Sequence, residues 1–171
     1  MDGLSFDCPQ CKMRHSGLPA LVYEEPAAGL DESGNPRSLN RIGKDFCVID
    51  DQHFFVRTVF EIPILGEALP LEWGVWGSLS QANFQRYRET FDDTDQSKLG
   101  GMFSFLSNEL GGYPGSLSLR CNLFPQDDRR RPLLVLQTDQ DHPLVHDQIN
   151  GITVERAIEL AMPVLHPQGQ A

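Results

Sequence analysis

Residues 53–64 read HFFVRTVFEIPI, and this stretch decides the fold class. From Phe54 to Ile62 the residues at every second position form one mainly apolar face, and the intervening residues form the other. Alternation of this length is typical of a β-strand with one buried face. Pro63 is expected to end the strand, because proline has no N–H to donate to a neighbouring strand.

Other segments with strand patterns surround this one. An apolar run at 47–49 and a polar turn at 50–52 precede it, so these two segments predict a β-hairpin. Further strand patterns occur at 72–79, 102–106, 117–123 and 133–138. The last two flank a polar connection and are expected to pair with each other.

Helical patterns are fewer. Ser80 is a typical N-cap before an amphipathic helix at 81–91. A short helix is predicted at 143–150, and Thr153 is expected to cap a last helix that Pro163 kinks or ends. Strands that follow one another, with few helices between them, predict an α+β fold: an antiparallel sheet of about five to six strands with two or three helices.

The length of the chain indicates how many domains it forms. The chain has 171 residues and a mass of 19.2 kDa, which is the size of one domain with a sizeable core. We therefore expect residues 1–171 to form a single domain. Within it we distinguish a zinc-knuckle-like segment at 1–24, a loop at 25–44 and an α+β body at 45–171.

Charge narrows the classes of partner. There are 14 basic and 24 acidic residues, so the net charge is −10. This balance argues against nucleic-acid binding, which depends on lysine and arginine, and favours a basic protein as partner. No apolar run is long enough for a membrane span, and the first residues lack a secretory pattern. The expected location is therefore cytoplasmic, where cysteines stay reduced.

The motif with the clearest chemistry is Cys8-Pro-Gln-Cys11, a C-x2-C knuckle. Two thiolates at this spacing can bind one metal ion, and tetrahedral zinc needs two more ligands. His15 follows four residues later, and Cys47 begins the first predicted strand of the body. We take Cys8, Cys11, His15 and Cys47 as the candidate ligands, whereas the alternation around Cys121 indicates a core thiol. Two ordinary thiols or a redox pair remain alternatives.

The ligand number separates the functional hypotheses. Four protein ligands make a closed structural zinc site, while three leave a position at which water could be activated, as in a hydrolase. The sequence has no nucleophile elbow and no phosphate-binding loop. A binding or interaction module is therefore favoured over an enzyme, and neutralisation of a basic toxin is one form of that hypothesis. A metal-dependent hydrolase and a purely structural zinc site are the alternatives.

Several short motifs, taken together in their order, resemble one family. They comprise Cys8, Cys11 and His15 with the segments 45–49, 54–57, 61–63, 73–76, 112–114, 142–144 and 148–152. The chain is similar over about residues 6–166 to the bacterial domain of unknown function 2199 family. This resemblance implies a soluble bacterial protein and is consistent with a metal site.

The resemblance also marks particular residues. It implies glycine after the second cysteine, where this chain has Lys12. Among the residues that carry it, Arg57, Trp76, His142 and Gln148 are candidates for contact with a partner or ligand.

Overall fold

A computed structural model describes residues 4–167 of the chain. Within these residues there are ten strands, three α-helices and a short 3-10 helix at Gln96–Leu99. The strands are β1 (Ser5–Asp7), β2 (Arg14–Ser16), β3 (Leu21–Val22), β4 (Leu39–Ile42), β5 (Phe46–Ile49), β6 (His53–Ile62), β7 (Leu71–Leu79), β8 (Met102–Phe105), β9 (Arg120–Phe124) and β10 (Leu133–Leu136). The helices are α1 (Gln81–Glu89), α2 (Pro143–Asn150) and α3 (Val154–Leu165).

The long hairpin of β6 and β7 is the centre of the main sheet. β5 pairs with β6 in antiparallel fashion and β4 with β5, while β10 runs parallel to β6 on its other side. β9 and β8 continue from β10 as antiparallel neighbours. Leu106, just after β8, forms a bridge to Gly77 on β7, and the Phe105 N–H donates to Ser78 Oγ at 3.0 Å. Five strands therefore close into a ring.

The inner face of this ring and the helices enclose the main core. Strict alternation along β6 and β7 places one set of side chains inward, including Phe60 and Trp73, which are at most 1% exposed. Trp76, three residues after Trp73, faces the opposite side and is also fully buried, in a second cluster with Cys47 and Ile49. The two tryptophans therefore lie on opposite faces of the sheet, as an odd spacing along a strand requires.

Part of the outer face of the sheet, over β7, is covered by another segment of the chain. There the segment 23–28 lies over β7, where the Trp76 indole N–H donates to the Tyr23 carbonyl at 3.1 Å. The buried Asn108 side chain accepts from the Trp76 N–H and donates to the Glu25 carbonyl, both at 2.9 Å. These bonds satisfy buried polar groups and hold the covering segment in place.

Among residues 4–167, no such segment covers the outer face over β8, β9 and β10. Apolar side chains on these strands are 36–50% exposed: Phe103, Phe105, Phe124 and Val135.

The α+β class is confirmed, with more strands than expected. The sheet is mixed, because β3 runs parallel to β7 and β10 parallel to β6. Alternation in a sequence reveals a strand but not the direction of its partner, so these pairings could not be seen. The expected loop at 25–44 also contains β4.

Capping of the helices follows the expected pattern. Ser80 Oγ accepts from the Asn83 N–H and Thr153 Oγ1 from the Arg156 N–H, both at 3.2 Å. α3 runs two residues beyond Pro163, because a proline in the last turn removes one N–H bond without preventing helical geometry in the residues that follow. Among residues 4–167, the helices are too short or too polar to cross a bilayer.

Candidate metal centre

The N-terminal hairpin places the two knuckle cysteines in its turn. β1 and β2 pair with Phe6 opposite His15, and the chain between them turns tightly. Across the turn the Cys8 N–H donates to the Met13 carbonyl at 2.8 Å, and the Lys12 N–H donates to the Cys8 carbonyl at 3.0 Å. The turn therefore holds Cys8 and Cys11 close to each other and to the neighbouring strand.

Lys12 occupies the strained position of this turn. Its φ is +61°, in the left-handed region that favours glycine. Its side chain reaches back, and Nζ donates to the Pro9 carbonyl at 2.7 Å. The family resemblance implied glycine at this position, and the backbone conformation gives the physical reason.

His15 is oriented by its strand partner. The imidazole stacks on the Phe6 ring with centroids 5.5 Å apart. This places His15 Nε2 at 3.3 Å from Cys11 Sγ. One thiol and one imidazole therefore already lie together within the hairpin.

A second histidine reaches the hairpin from the other end of the chain. His166 caps the C-terminus of α3, and its Nε2 lies 3.1 Å from Cys8 Sγ, although the two residues are 158 positions apart. The rings of His15 and His166 meet edge to face with centroids 5.8 Å apart. Only the tertiary fold brings this histidine to the knuckle.

The four ligand atoms form a compact group. One atom from each of Cys8, Cys11, His15 and His166 lies within 4.8 Å of all the others. In a tetrahedral zinc site, bonds of about 2.0–2.3 Å place neighbouring ligand atoms about 3.3–3.8 Å apart. The cluster is therefore compatible with a metal ion after small side-chain movements. Cys8 is buried and the other three are half-buried.

The surroundings of Cys8 favour its thiolate. Burial alone would raise the pKa of the Cys8 thiol, but the backbone N–H groups of Cys11 and Gln10 lower it. The side chains of His166 and Cys11 lower it further, and the resulting pKa is about 6. Because a thiolate is the form that binds metal, this environment prepares Cys8 as a ligand.

Cys47 lies elsewhere, which corrects the predicted fourth ligand. It is fully buried in β5, among Ile49 and Trp76 in the second cluster. Burial raises the pKa of the Cys47 thiol to about 11, which the nearby Arg41 opposes and Glu25 reinforces. A neutral thiol in an apolar cluster has the environment of a core residue.

His166 was missed because no cysteine or other histidine lies near it in the sequence. It lies far from the knuckle in sequence, just after a helix that contains a proline. The signal that could have found it is its position directly after a helix. A side chain at the end of a helix does not pack on the helix face and is free to contact another element.

Cys121 lies in the core, as the alternation indicated. It is fully buried on β9. Burial raises the pKa of its thiol to about 12, while a backbone hydrogen bond with Leu106 lowers it.

Two of the candidate contact residues are buried. Trp76 is fully buried under the covering segment, and Arg57 is 8% exposed on the same face of the sheet. Arg57 Nη1 lies 3.7 Å from a carboxylate oxygen of Glu24. Neither side chain presents an exposed surface, because residues near 23–28 cover them.

The other two candidates hold α2 in place. His142 Nδ1 accepts from the Leu144 N–H at 3.0 Å as the helix N-cap, and His142 Nε2 lies 3.0 Å from the Pro114 carbonyl. The Gln148 side chain accepts from the Leu136 N–H at 2.7 Å and donates to the Leu136 carbonyl at 3.2 Å. The structure therefore does not bring these four candidates together at one surface.

The comparisons with known proteins place the chain in a family. No curated protein and no solved structure matches the chain significantly. One family model, described as an uncharacterized protein conserved in bacteria (DUF2199), matches residues 7–152. The matched region includes Cys8, Cys11 and His15 but ends before α3 and His166. With most of its length matched, the chain belongs to this bacterial family of uncharacterized proteins.

Proposed function

We propose that the protein binds one zinc ion through Cys8, Cys11, His15 and His166 in a closed structural site. The observation that carries this proposal is the approach of four ligand atoms to within 4.8 Å of one another. They come from two distant parts of the chain.

The donor set favours zinc. Two thiolates and two imidazoles are a common ligand set of tetrahedral structural zinc. Calcium and magnesium prefer oxygen ligands, and iron–sulfur clusters are held mainly by cysteines.

The ligand number favours a structural role over catalysis. Four protein ligands fill a tetrahedral shell, whereas a catalytic zinc keeps one position for water or substrate. The hypothesis of a metal-dependent hydrolase therefore loses its main chemical support.

The zinc ion would supply stability where apolar burial is small. Among residues 4–17, all of which the structure describes, Cys8 is the one buried residue. Metal ligation would join this hairpin to the end of α3, and its binding free energy would count as folding free energy of both segments.

We further propose that the zinc-held domain acts as a binding module. The net charge of −10 supports a basic protein as its partner. Neutralisation of a basic toxin is the specific form of this proposal.

Metal content tests the site directly. Protein purified without chelator is analysed by elemental mass spectrometry as wild type, Cys8→Ser, His166→Ala and Cys47→Ala. We expect about one zinc per chain in wild type and Cys47→Ala, and little in the other two variants. Wild type without zinc, or retention of zinc by both Cys8→Ser and His166→Ala, would overturn the proposal.

Cobalt substitution separates a closed site from a catalytic one. Tetrahedral cobalt with thiolate ligands has visible absorption bands that change when a further ligand binds. We expect the spectrum to stay unchanged when azide is added, because no position is open. A spectral change with azide would support the hydrolase hypothesis instead.

A further inference from the structure

The outer face of the sheet over β8, β9 and β10 is rich in aromatic side chains. Cross-strand register places Phe103, Asn122 and Val135 in one row across three strands, with Phe105 and Phe124 in the neighbouring rows. Because side chains alternate along each strand, all of these residues point to the same face. The rings of Phe103 and Phe105 contact edge to face with centroids 5.0 Å apart.

This aromatic face, defined as Phe103, Phe105, Phe124 and Val135, is exposed to solvent. The three phenylalanines are 50%, 40% and 41% exposed. The face continues into a groove at the ring closure, lined by Phe55 and Ser78 among others. Single exposed apolar residues are ordinary on protein surfaces, but a contiguous group of large ones marks an interaction site.

The area of the aromatic face matches the apolar centre of a small protein interface. A phenylalanine buries about 150–250 Å² when fully covered, so the exposed parts of the four residues sum to about 300 Å². A standard interface buries about 800 Å² per partner, of which somewhat more than half is apolar. The face can therefore form the centre of such an interface but leaves room for a polar rim.

The charge around the face indicates which partner covers it. Arg120 lies on the outer face of β9, directly opposite Phe105 on β8, so a basic side chain borders the aromatic face. Arg120, beside Phe105, lies 3.2 Å from Asp139 in an exposed ion pair. A rim with both signs can complement a copy of itself, whereas a basic partner would be drawn to the acidic remainder of the molecule.

We infer that the aromatic face is the interface between two copies of this chain. A twofold axis brings the same patch of each copy together, so the phenylalanines of the two copies meet at the centre, and Arg120 and Asp139 supply opposite charges at the rim. This inference does not depend on the zinc site, which lies on other elements.

Sedimentation equilibrium over a range of protein concentrations tests the inference. We expect a monomer–dimer equilibrium in the micromolar range for wild type. The double variant Phe103→Thr/Phe124→Thr keeps strand-forming residues, and we expect it to dissociate at least tenfold more readily. Leu69→Thr is the matched control, since Leu69 is 74% exposed in the loop between β6 and β7, and its variant should dimerise as wild type does.

Hydrogen exchange provides an independent readout. Amides of 101–105 and 120–124 in wild type should become more protected as protein concentration rises, a test that needs no variant. A monomer at all concentrations would overturn the inference. So would a dimer that the double variant does not weaken, or one without protection of these strands.

Discussion

The N-terminal hairpin of β1 and β2 and the sheet around β6 and β7 are held together in different ways. In the sheet, side chains such as Trp73, Val75 and Phe60 are at most 1% exposed and pack against one another. In the hairpin, the side chains are mostly exposed, and its contacts to the rest of the chain include the approach of Cys8 to His166. The sheet is therefore stabilised by apolar burial, whereas the hairpin buries little and approaches the end of α3 through Cys8, His15 and His166.

The largest expected effect comes from the sheet. Trp73→Ala should lower the free energy of unfolding by about 3–5 kcal/mol, because it removes a large side chain and leaves a cavity. Chemical denaturation followed by circular dichroism measures this loss. Leu69→Ala, at an exposed position, should change stability by less than about 0.5 kcal/mol. A Trp73→Ala variant as stable as this control would show that the sheet does not depend on burial at this position.

The next effect separates the hairpin from the sheet. Chelation of zinc from wild type should raise hydrogen exchange at 5–16 and at the end of α3 by tenfold or more, because metal binding is coupled to local folding. Exchange in β6 and β7 should change little. Hydrogen-exchange mass spectrometry with and without chelator makes the comparison, and equal loss of protection in both regions would contradict it.

A smaller effect is expected within the knuckle itself. Lys12→Gly should relieve the left-handed backbone and favour the metal-bound hairpin by about 0.5–1 kcal/mol, the strain removed less the greater entropy of glycine in the unfolded chain. Competition with a chromophoric chelator should then show a few-fold tighter zinc binding. Lys12→Ala is the control, because it removes the Nζ contact to Pro9 but keeps the strain. It should bind no more tightly than wild type.

The smallest effect concerns a pair of acids in the sheet. Glu61 lies directly opposite Glu72. Burial, and then the Glu72 charge, raise the pKa of the Glu61 carboxyl. The folded protein therefore binds a proton on the Glu61 carboxyl more tightly than the unfolded chain does. At neutral pH the ionised carboxylate destabilises the folded state, and this effect disappears as the pH falls through the raised pKa.

Glu61→Gln should therefore stabilise the protein by about 0.5 kcal/mol at neutral pH. The gain should vanish in acid, and melting temperatures measured across this pH range test the sign. Glu32→Gln, at an exposed position in the loop before β4, is the control and should change stability little. A gain for Glu61→Gln that persists in acid would indicate a cause other than the carboxylate charge.

The difference between the sheet and the N-terminal hairpin also explains what could be predicted from the sequence. The strands β5 to β10 were visible because alternation and turn residues are local consequences of burial on one face. The knuckle was visible because Cys8, Cys11 and His15 lie within one short segment. His166 was not, because its role follows from where α3 ends in space. Cys47 was misassigned because the thiol of a buried strand residue and a ligand thiol look alike in a sequence.

Because Cys8 and His166 lie near opposite ends of the sequence, the ribosome adds them to the chain at very different times. A chain made from its N-terminus at about 5–20 residues per second needs roughly 8–30 seconds to extend over the 158 positions between them. During that interval the growing chain carries two exposed thiols and one imidazole, a partial ligand set with room for other molecules. Translation of α3 and His166 therefore brings the fourth candidate ligand, and a metal ion or oxidant that reaches the nascent hairpin earlier meets a Cys8 that is not yet buried.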